Sequence, residues 1–229
     1  MSKIMKRIGV AIMSLALGSS ADVVFSTDFQ SATQTGGAGN AIQMAGTTAP
    51  GVTVSSMTAN PGTYVSNFIV GTSSSLTSMY AQIQAAYAPV DLTTAISSGT
   101  YFEFTLSSAT ALNLGEFSFS AMRNGFNMYG GVALYSSIDG YATALLTIES
   151  STQGITPGSV DLSGIAGFDS VTNVTFRFYI ASAFDTTTQT NRRIGIDDIS
   201  ISVVPEAGPV SLFIIGAIGT MTVRRVTGK

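Results

Sequence analysis

Two carboxylates, Glu103 and Glu116, are the first candidates for chemistry in this sequence. Most glycoside hydrolases cleave a glycosidic bond with such a pair of acidic side chains. Each glutamate falls on the polar side of a short segment in which apolar and polar residues alternate. A solvated surface charge would occupy the same kind of position, and no surrounding motif supports catalysis. We therefore predict no catalytic role for either residue.

Histidine and cysteine are both absent from the 229 residues. Without histidine the chain lacks the commonest general base and the commonest transition-metal ligand. Zinc sites of the Cys/His type and disulfides are excluded as well. A serine nucleophile would need histidine or lysine as its base, and the segment between residues 22 and 204 contains no lysine. These absences predict a protein that is not an enzyme and has no cofactor for catalysis.

Charge is scarce and unevenly distributed along the chain. Charged residues make up 10% of it, against roughly 25% in a typical soluble domain. Between residues 22 and 204 there are twelve acidic residues and four arginines, a net charge of −8. Nucleic-acid binding needs a basic face, and an anionic membrane surface would repel this segment. We therefore exclude nucleic acid as a partner and expect an acidic, hydroxyl-rich surface with few charged groups, which suits an extracellular β protein.

The first 21 residues have the three parts of a secretory signal peptide. A basic start is followed by the apolar run Ile8–Leu17, which is too short to span a bilayer, and then by small residues up to Ala21. We predict an N-terminal signal helix in residues 1–21 and cleavage by signal peptidase after Ala21. The alternative is an amphipathic first helix of the folded domain.

Residues 204–229 form a second distinctive segment. Its parts are a helix-breaking hinge, an apolar helix and a basic end: Val204-Pro205-Glu206, Val210–Val223 and Arg224-Arg225. This order resembles the PEP-CTERM sorting signal of Gram-negative bacteria that produce exopolysaccharide. The resemblance implies transient anchoring in the inner membrane, followed by cleavage near Pro205-Glu206 by an exosortase-like transpeptidase. A simple C-terminal membrane anchor is the alternative.

Between these ends, residues 22–203 consist of short segments with a hydrophobic period of two. The segments are Tyr101–Leu106, Leu114–Ser120, Val174–Ile180 and Ile194–Ile201, with further candidates at Val23–Phe29, Val52–Met57, Tyr64–Val70, Val132–Ser136 and Ala142–Ile148. The pattern predicts an all-β fold, a single antiparallel β-sandwich. We also expect a register change near Asp197-Asp198, a short helix at Ser78–Ala86 and a turn at Leu162–Phe168.

The second half of this segment resembles the jelly-roll domains that often precede PEP-CTERM tails. Four stretches carry the resemblance: Ser136–Tyr141, Val160–Ser163, Val174–Tyr179 and Gly195–Ile199. The resemblance implies that the sandwich is jelly-roll-like.

A calcium site is a further implication of this resemblance. In many jelly-roll carbohydrate-binding modules, an acidic residue of the first strand and an aspartate of the last strand hold one structural calcium ion. Asp28 and Asp197 occupy the corresponding places here, and carboxylates with backbone carbonyls suffice as calcium ligands. The alternative is that Asp197 or Asp198 pairs with Arg192 or Arg193, or caps a bulge.

These observations together predict a secreted or cell-surface protein without enzymatic activity, an extracellular matrix or envelope component. The alternative is a carbohydrate-binding module that recognises exopolysaccharide. Such a module needs aromatic side chains on which sugars stack, and the chain has no tryptophan. The candidate platforms are Tyr80, Tyr87, Tyr129 and Tyr141, although packing explains most tyrosines of a sandwich equally well.

Overall fold

The computed structural model describes residues 21–35, 41–60, 69–73, 76–84, 89–124, 128–150, 153–184 and 193–204. These residues form two antiparallel sheets packed face to face, a jelly-roll-like β-sandwich. The prediction of an all-β antiparallel sandwich is therefore confirmed. Both predicted terminal helices lie outside the described residues.

Within the described ranges there are fifteen strands, numbered here in chain order. They are β1 (Asp22–Thr27), β2 (Thr33–Thr35), β3 (Ala41–Gln43), β4 (Thr47–Thr48), β5 (Val52–Val54), β6 (Thr58–Asn60), β7 (Ile69–Ser73), β8 (Leu76–Gln84), β9 (Tyr101–Leu112), β10 (Leu114–Asn124), β11 (Met128–Ser136), β12 (Leu146–Ser150), β13 (Gly154–Asp161), β14 (Val171–Phe184) and β15 (Arg193–Val203). One α-helix, α1, spans Leu92–Ser98, and a 3-10 helix spans Ser137–Asp139. In this part of the chain, neither helix has the length and hydrophobicity to cross a membrane.

The seven-stranded sheet has the order β13-β10-β15-β1-β4, with β8 also paired to β15 and β7 paired to β8. The six-stranded sheet has the order β12-β11-β14-β9-β5, with β6 also paired to β9. Strands β2 and β3 form a separate ladder. The last strand, β15, thus lies between β10 and the first strand, β1.

Phenylalanine rings from both sheets fill the core between them. Phe117 of β10 and Phe176 of β14 have ring centroids 4.6 Å apart, and Phe119 lies 5.1 Å from Phe178. The apolar side of each alternating segment is buried here, as the period of two predicts. The largest fully buried rings are Phe25, Phe29, Phe104, Phe117, Phe119, Phe168, Phe176 and Phe178.

The helix predicted at Ser78–Ala86 is wrong, because residues 76–84 form strand β8. Its backbone pairs with β15 over Ala81–Gln84 and with β7 along the other side. The two neighbouring strands satisfy the backbone hydrogen-bonding groups of this short segment. An isolated helix of the same length would be only marginally stable.

Helix α1 was not predicted, although the sequence carries both of its boundary signals. The Asp91 side chain accepts a hydrogen bond from the Thr94 N–H (2.7 Å), and Gly99 ends the helix with a left-handed backbone (φ 68°). The serines and threonines between them are weak helix formers, so the composition of this segment does not indicate a helix.

The register change expected near Asp197-Asp198 is confirmed as a β-bulge. Ser118 pairs with Ser200 and Ser120 with Asp197, so two steps along β10 face three steps along β15. Asp198 takes a left-handed backbone (φ 50°) at this point. The bulge leaves Asp197 fully buried and Asp198 exposed.

Candidate functional site

Three polar pairs follow one another on the outer face of the six-stranded sheet, between β9 and β14. We call these six residues the polar track. The cross-strand register places Arg177 opposite Glu103, Thr175 opposite Thr105 and Asn173 opposite Ser107. Each pair is hydrogen-bonded: Arg177 Nε donates to Glu103 Oε2 (2.9 Å), the two threonine hydroxyls lie 2.9 Å apart, and Asn173 Nδ2 donates to Ser107 Oγ (2.8 Å).

The guanidinium of Arg177 lies between two tyrosine rings. Its central carbon is 4.2 Å from the ring centre of Tyr101 and 3.7 Å from that of Tyr141. Burial alone would lower the pKa of Arg177, but the Glu103 hydrogen bond and the neighbouring tyrosines and carboxylate outweigh it and raise the pKa. The arginine therefore stays charged and is held in one orientation by its neighbours.

The Arg177 side chain keeps donors for a ligand. Its Nε is used by Glu103, and within the described residues its terminal Nη groups make no hydrogen bond. The side chain of Arg177 is 24% exposed and that of Glu103 is 31% exposed. A donor and an acceptor thus lie side by side at the surface, on a rigid pair of strands.

A row of tyrosines borders the track at the Arg177 end. Tyr179 makes edge-on contacts with Tyr101 (5.4 Å between centroids) and Tyr135 (5.1 Å). Asn60 Nδ2 donates to the Tyr101 hydroxyl at 3.1 Å. Burial, and to a lesser degree the neighbouring Tyr179 and Asp139, raises the pKa of Tyr135. Packing therefore fixes the orientation of these rings.

Helix α1 lies on the outer face just beyond the tyrosine row. Ala95 is fully buried against Tyr179 and Ala181, and Leu92 packs on the same cluster. The Ser182 N–H donates to the Pro89 carbonyl (2.7 Å) and fixes the approach to the helix. The sheet face is covered at this end, whereas Asn173 at the other end of the track is exposed.

The predicted stacking tyrosines have different outcomes. Tyr141 is half-buried and packs on Arg177, so it belongs to the site. Tyr80 lies on β8 and Tyr129 on β11, but their side chains fall outside the described set, as does all of Tyr87. The sequence interpretation missed Arg177, Tyr101, Tyr135 and Tyr179, although alternation alone places Arg177 and Tyr179 on the polar side of their segment.

The structure describes both acidic residues of the predicted calcium site, Asp28 and Asp197. Asp28 and Asp198, rather than Asp197, line one cleft of about 350 Å³ on the outer side of the seven-stranded sheet. Asp197 is buried, and its Oδ1 accepts the Asp198 N–H (2.9 Å). No group of three potential metal-ligating side chains occurs among the residues that were described. The calcium site at Asp28 and Asp197 stays a prediction.

The two glutamates considered for glycoside hydrolysis lie on different sheets. Glu103 is on β9 of the six-stranded sheet, and Glu116 is on β10 of the seven-stranded sheet. Glu103 points to the outer face with Arg177, and Glu116 is exposed on its own sheet. Packed sheets lie about 10 Å apart, and two outward-facing carboxylates are farther apart still. They cannot act on one bond, since catalytic pairs lie within about 9.5 Å.

The segment boundaries predicted for processing lie at one end of the sandwich. Asp22 of β1, next to Ala21, pairs with Val203 of β15. Val204 follows at once, and its N–H donates to the Asn113 carbonyl (2.8 Å). Ala21 and Val204 are both exposed. The rest of the predicted sorting motif, Pro205, Glu206, Arg224 and Arg225, lies outside the described residues.

Comparisons with known proteins find similarity in solved structures alone, since no protein-family model and no curated protein matches this sequence. The CBM36-1 domain of a multidomain xylanase from the hindgut metagenome of Trinervitermes trinervoides has a TM-score of 0.36 and 11% identity, over 67% of this chain and 98% of that domain. The family 11 carbohydrate-binding module of a cellulosomal cellulase of Clostridium thermocellum has a TM-score of 0.31 and 12% identity, over 83% of this chain and 99% of that module. Likenesses of this strength assign no function.

Proposed function

We propose that this β-sandwich binds a neutral polysaccharide along the polar track and performs no catalysis. The observation that carries the proposal is the Arg177 guanidinium, held between Tyr101 and Tyr141 and hydrogen-bonded to Glu103. This arrangement presents fixed donors, fixed acceptors and aromatic surface on one rigid sheet. Sugar-binding sites combine these same features.

The hydrogen-bonding capacity of the track suits adjacent sugar hydroxyls. A hydroxyl both donates and accepts, so a pair of neighbouring hydroxyls fits the Nη donors of Arg177 and the carboxylate of Glu103. The threonine pair and the Asn173 amide continue the same pattern. Alternate residues of a strand lie about 6.8 Å apart, so the three pairs extend over about 14 Å. This length accommodates a short stretch of glycan.

Charge supports a neutral ligand over an anionic one. Glu103 neutralises the cation that would otherwise attract an acidic sugar. The segment from residue 22 to 204 has a net charge of −8, which repels polyanions at long range. A neutral polysaccharide meets neither obstacle.

A matched pair of glutamine variants tests this proposal. We expect Glu103→Gln to weaken binding of a neutral polysaccharide at least tenfold, about 1.4 kcal/mol, because it removes the charge that orients Arg177. Glu116→Gln removes the same charge from the other sheet and should leave affinity unchanged. Titration calorimetry against neutral and uronic-acid polysaccharides measures both variants.

Several outcomes of this titration would count against the proposal. One is equal affinity for Glu103→Gln and the unchanged protein, and another is preference for the acidic polysaccharide. Absence of binding to every neutral polysaccharide tested would refute the proposed function. Loss of this partly exposed ion pair costs the fold about 1 kcal/mol, so circular dichroism should show that both variants remain folded.

Export is the second part of our proposal. We propose that signal peptidase cuts after Ala21 and that an exosortase-like enzyme then cuts near Pro205-Glu206, after transient anchoring through residues 210–223. The body would then act at the cell surface or in the extracellular matrix. The adjacent, exposed positions of Ala21 and Val204 support access of processing enzymes to both sites.

Intact-mass spectrometry of the chain from its native host tests this processing. We expect a mass that lacks residues 1–21 and also lacks the apolar helix with its basic end. Masses that retain residues 210–229 would contradict cleavage of the tail, whereas the Pro205→Ala variant should accumulate the uncut form.

A further inference from the structure

We infer that the polar track takes the end of a polysaccharide chain rather than an internal stretch. This inference rests on the proposed function and names the part of the polymer that is recognised. Its basis is that one end of the track is covered by α1 and the tyrosine row, while the other end is open.

The covered end acts as a wall across the direction of the strands. The outward positions of β14 run from Asn173 through Thr175, Arg177 and Tyr179 to Ala181. Tyr179 is 6% exposed and Ala181 is fully buried, because Ala95 of α1 packs on both. A glycan that lies along β14 cannot continue past Tyr179 without displacing the helix.

Displacing α1 is unfavourable because it would unpack the buried Ala95 from Tyr179 and Ala181 and leave a helix whose own ends are well capped without its packing partners. Asp91 caps its first turn, and the Gly99 and Thr100 N–H groups close its last turn on Ile96 and Ala95. The hydrogen bond from Ser182 to Pro89 also ties the chain before α1 to β14. The wall is therefore part of the folded sandwich.

A glycan that crosses the strands would avoid the wall but would lose most of the site. It would meet one of the three polar pairs, because successive pairs are displaced along the strands. A chain along the strands contacts all three pairs, and its terminal sugar then reaches Arg177 and Glu103.

Oligosaccharides of graded length distinguish the two modes of binding. Neutral gluco-, manno- and xylo-oligosaccharides of three to twelve units are titrated into the full chain by calorimetry. If the site recognises a chain end, we expect one protein molecule per oligosaccharide molecule. The Kd, expressed per mole of oligosaccharide, should stay constant once the oligosaccharide is long enough to fill the polar track. For recognition of an internal stretch, stoichiometry and apparent affinity rise with length, and that result overturns the inference while leaving the proposed function intact.

A variant at the open end supplies an independent measurement. Asn173→Ala removes the amide farthest from the wall. We expect it to weaken binding of a hexasaccharide several-fold and to leave the weaker binding of a disaccharide at the wall unchanged. Equal loss for both ligands contradicts recognition of a chain end. Absence of binding to all series by the unchanged protein would refute both the inference and the proposed function.

Discussion

Replacing Phe117 with alanine is expected to lower the free energy of unfolding by about 3 to 5 kcal/mol. Phe117 is fully buried on the seven-stranded sheet. Its ring contacts Phe176 at 4.6 Å, Phe178 at 6.1 Å and Phe104 at 6.4 Å on the other sheet. Alanine would leave a cavity between the two sheets that these rings are too constrained to fill.

Urea denaturation followed by circular dichroism measures this loss. Ile155→Ala is the control, because Ile155 is a large apolar residue that is 42% exposed on β13. The control should change stability by about 0.5 kcal/mol or less. A Phe117→Ala variant with the stability of the unchanged protein would show that this ring does not join the sheets.

The Gly46→Ala variant is expected to lose about 1 to 3 kcal/mol through overpacking. A Cβ at this position would overlap the carbonyl oxygen of Ser26 and lie 3.0 Å from the Thr27 Cβ. The chain is held there by the β1–β4 pairing and by the bond from Thr27 Oγ1 to the Ala45 carbonyl (2.6 Å). Because the overlap is with backbone, no side-chain rotation can relieve it.

Gly164→Ala is the matched control, since a Cβ there has no neighbour within 4 Å. Thermal unfolding of the two variants should separate them, with a lower Tm for Gly46→Ala and an unchanged Tm for Gly164→Ala. Equal Tm values would mean that β4 moves away from β1 at no cost, contrary to the close contact described above.

Alternation in the sequence sufficed to predict the sandwich and its core. In β9, β10 and β14, and on either side of the bulge in β15, apolar residues recur every second position, and burial of one face follows directly. Helix α1 and strand β8 were not predicted because both are decided by tertiary packing. Helix α1 is stabilised by contact with Tyr179 and Ala181. Strand β8 is stabilised by backbone pairing with the first residues of β15.

The candidate site was less predictable than the fold. Alternation places Tyr101 and Glu103 on one polar face and Arg177 and Tyr179 on another. The register that joins these faces depends on pairing between strands about 70 residues apart in sequence. Tyr141 reaches Arg177 through a left-handed backbone (φ 63°), which no propensity predicts for tyrosine.

The central position of β15 has a consequence for the order of assembly. Because the final strand inserts between β10 and β1, both of those strands present unpaired edges until residues 193–203 have been delivered. Contacts between the beginning and the end of a chain are also slow to form. During synthesis from the N-terminus, the two sheets would therefore close into the sandwich only after residues 193–203 have been made.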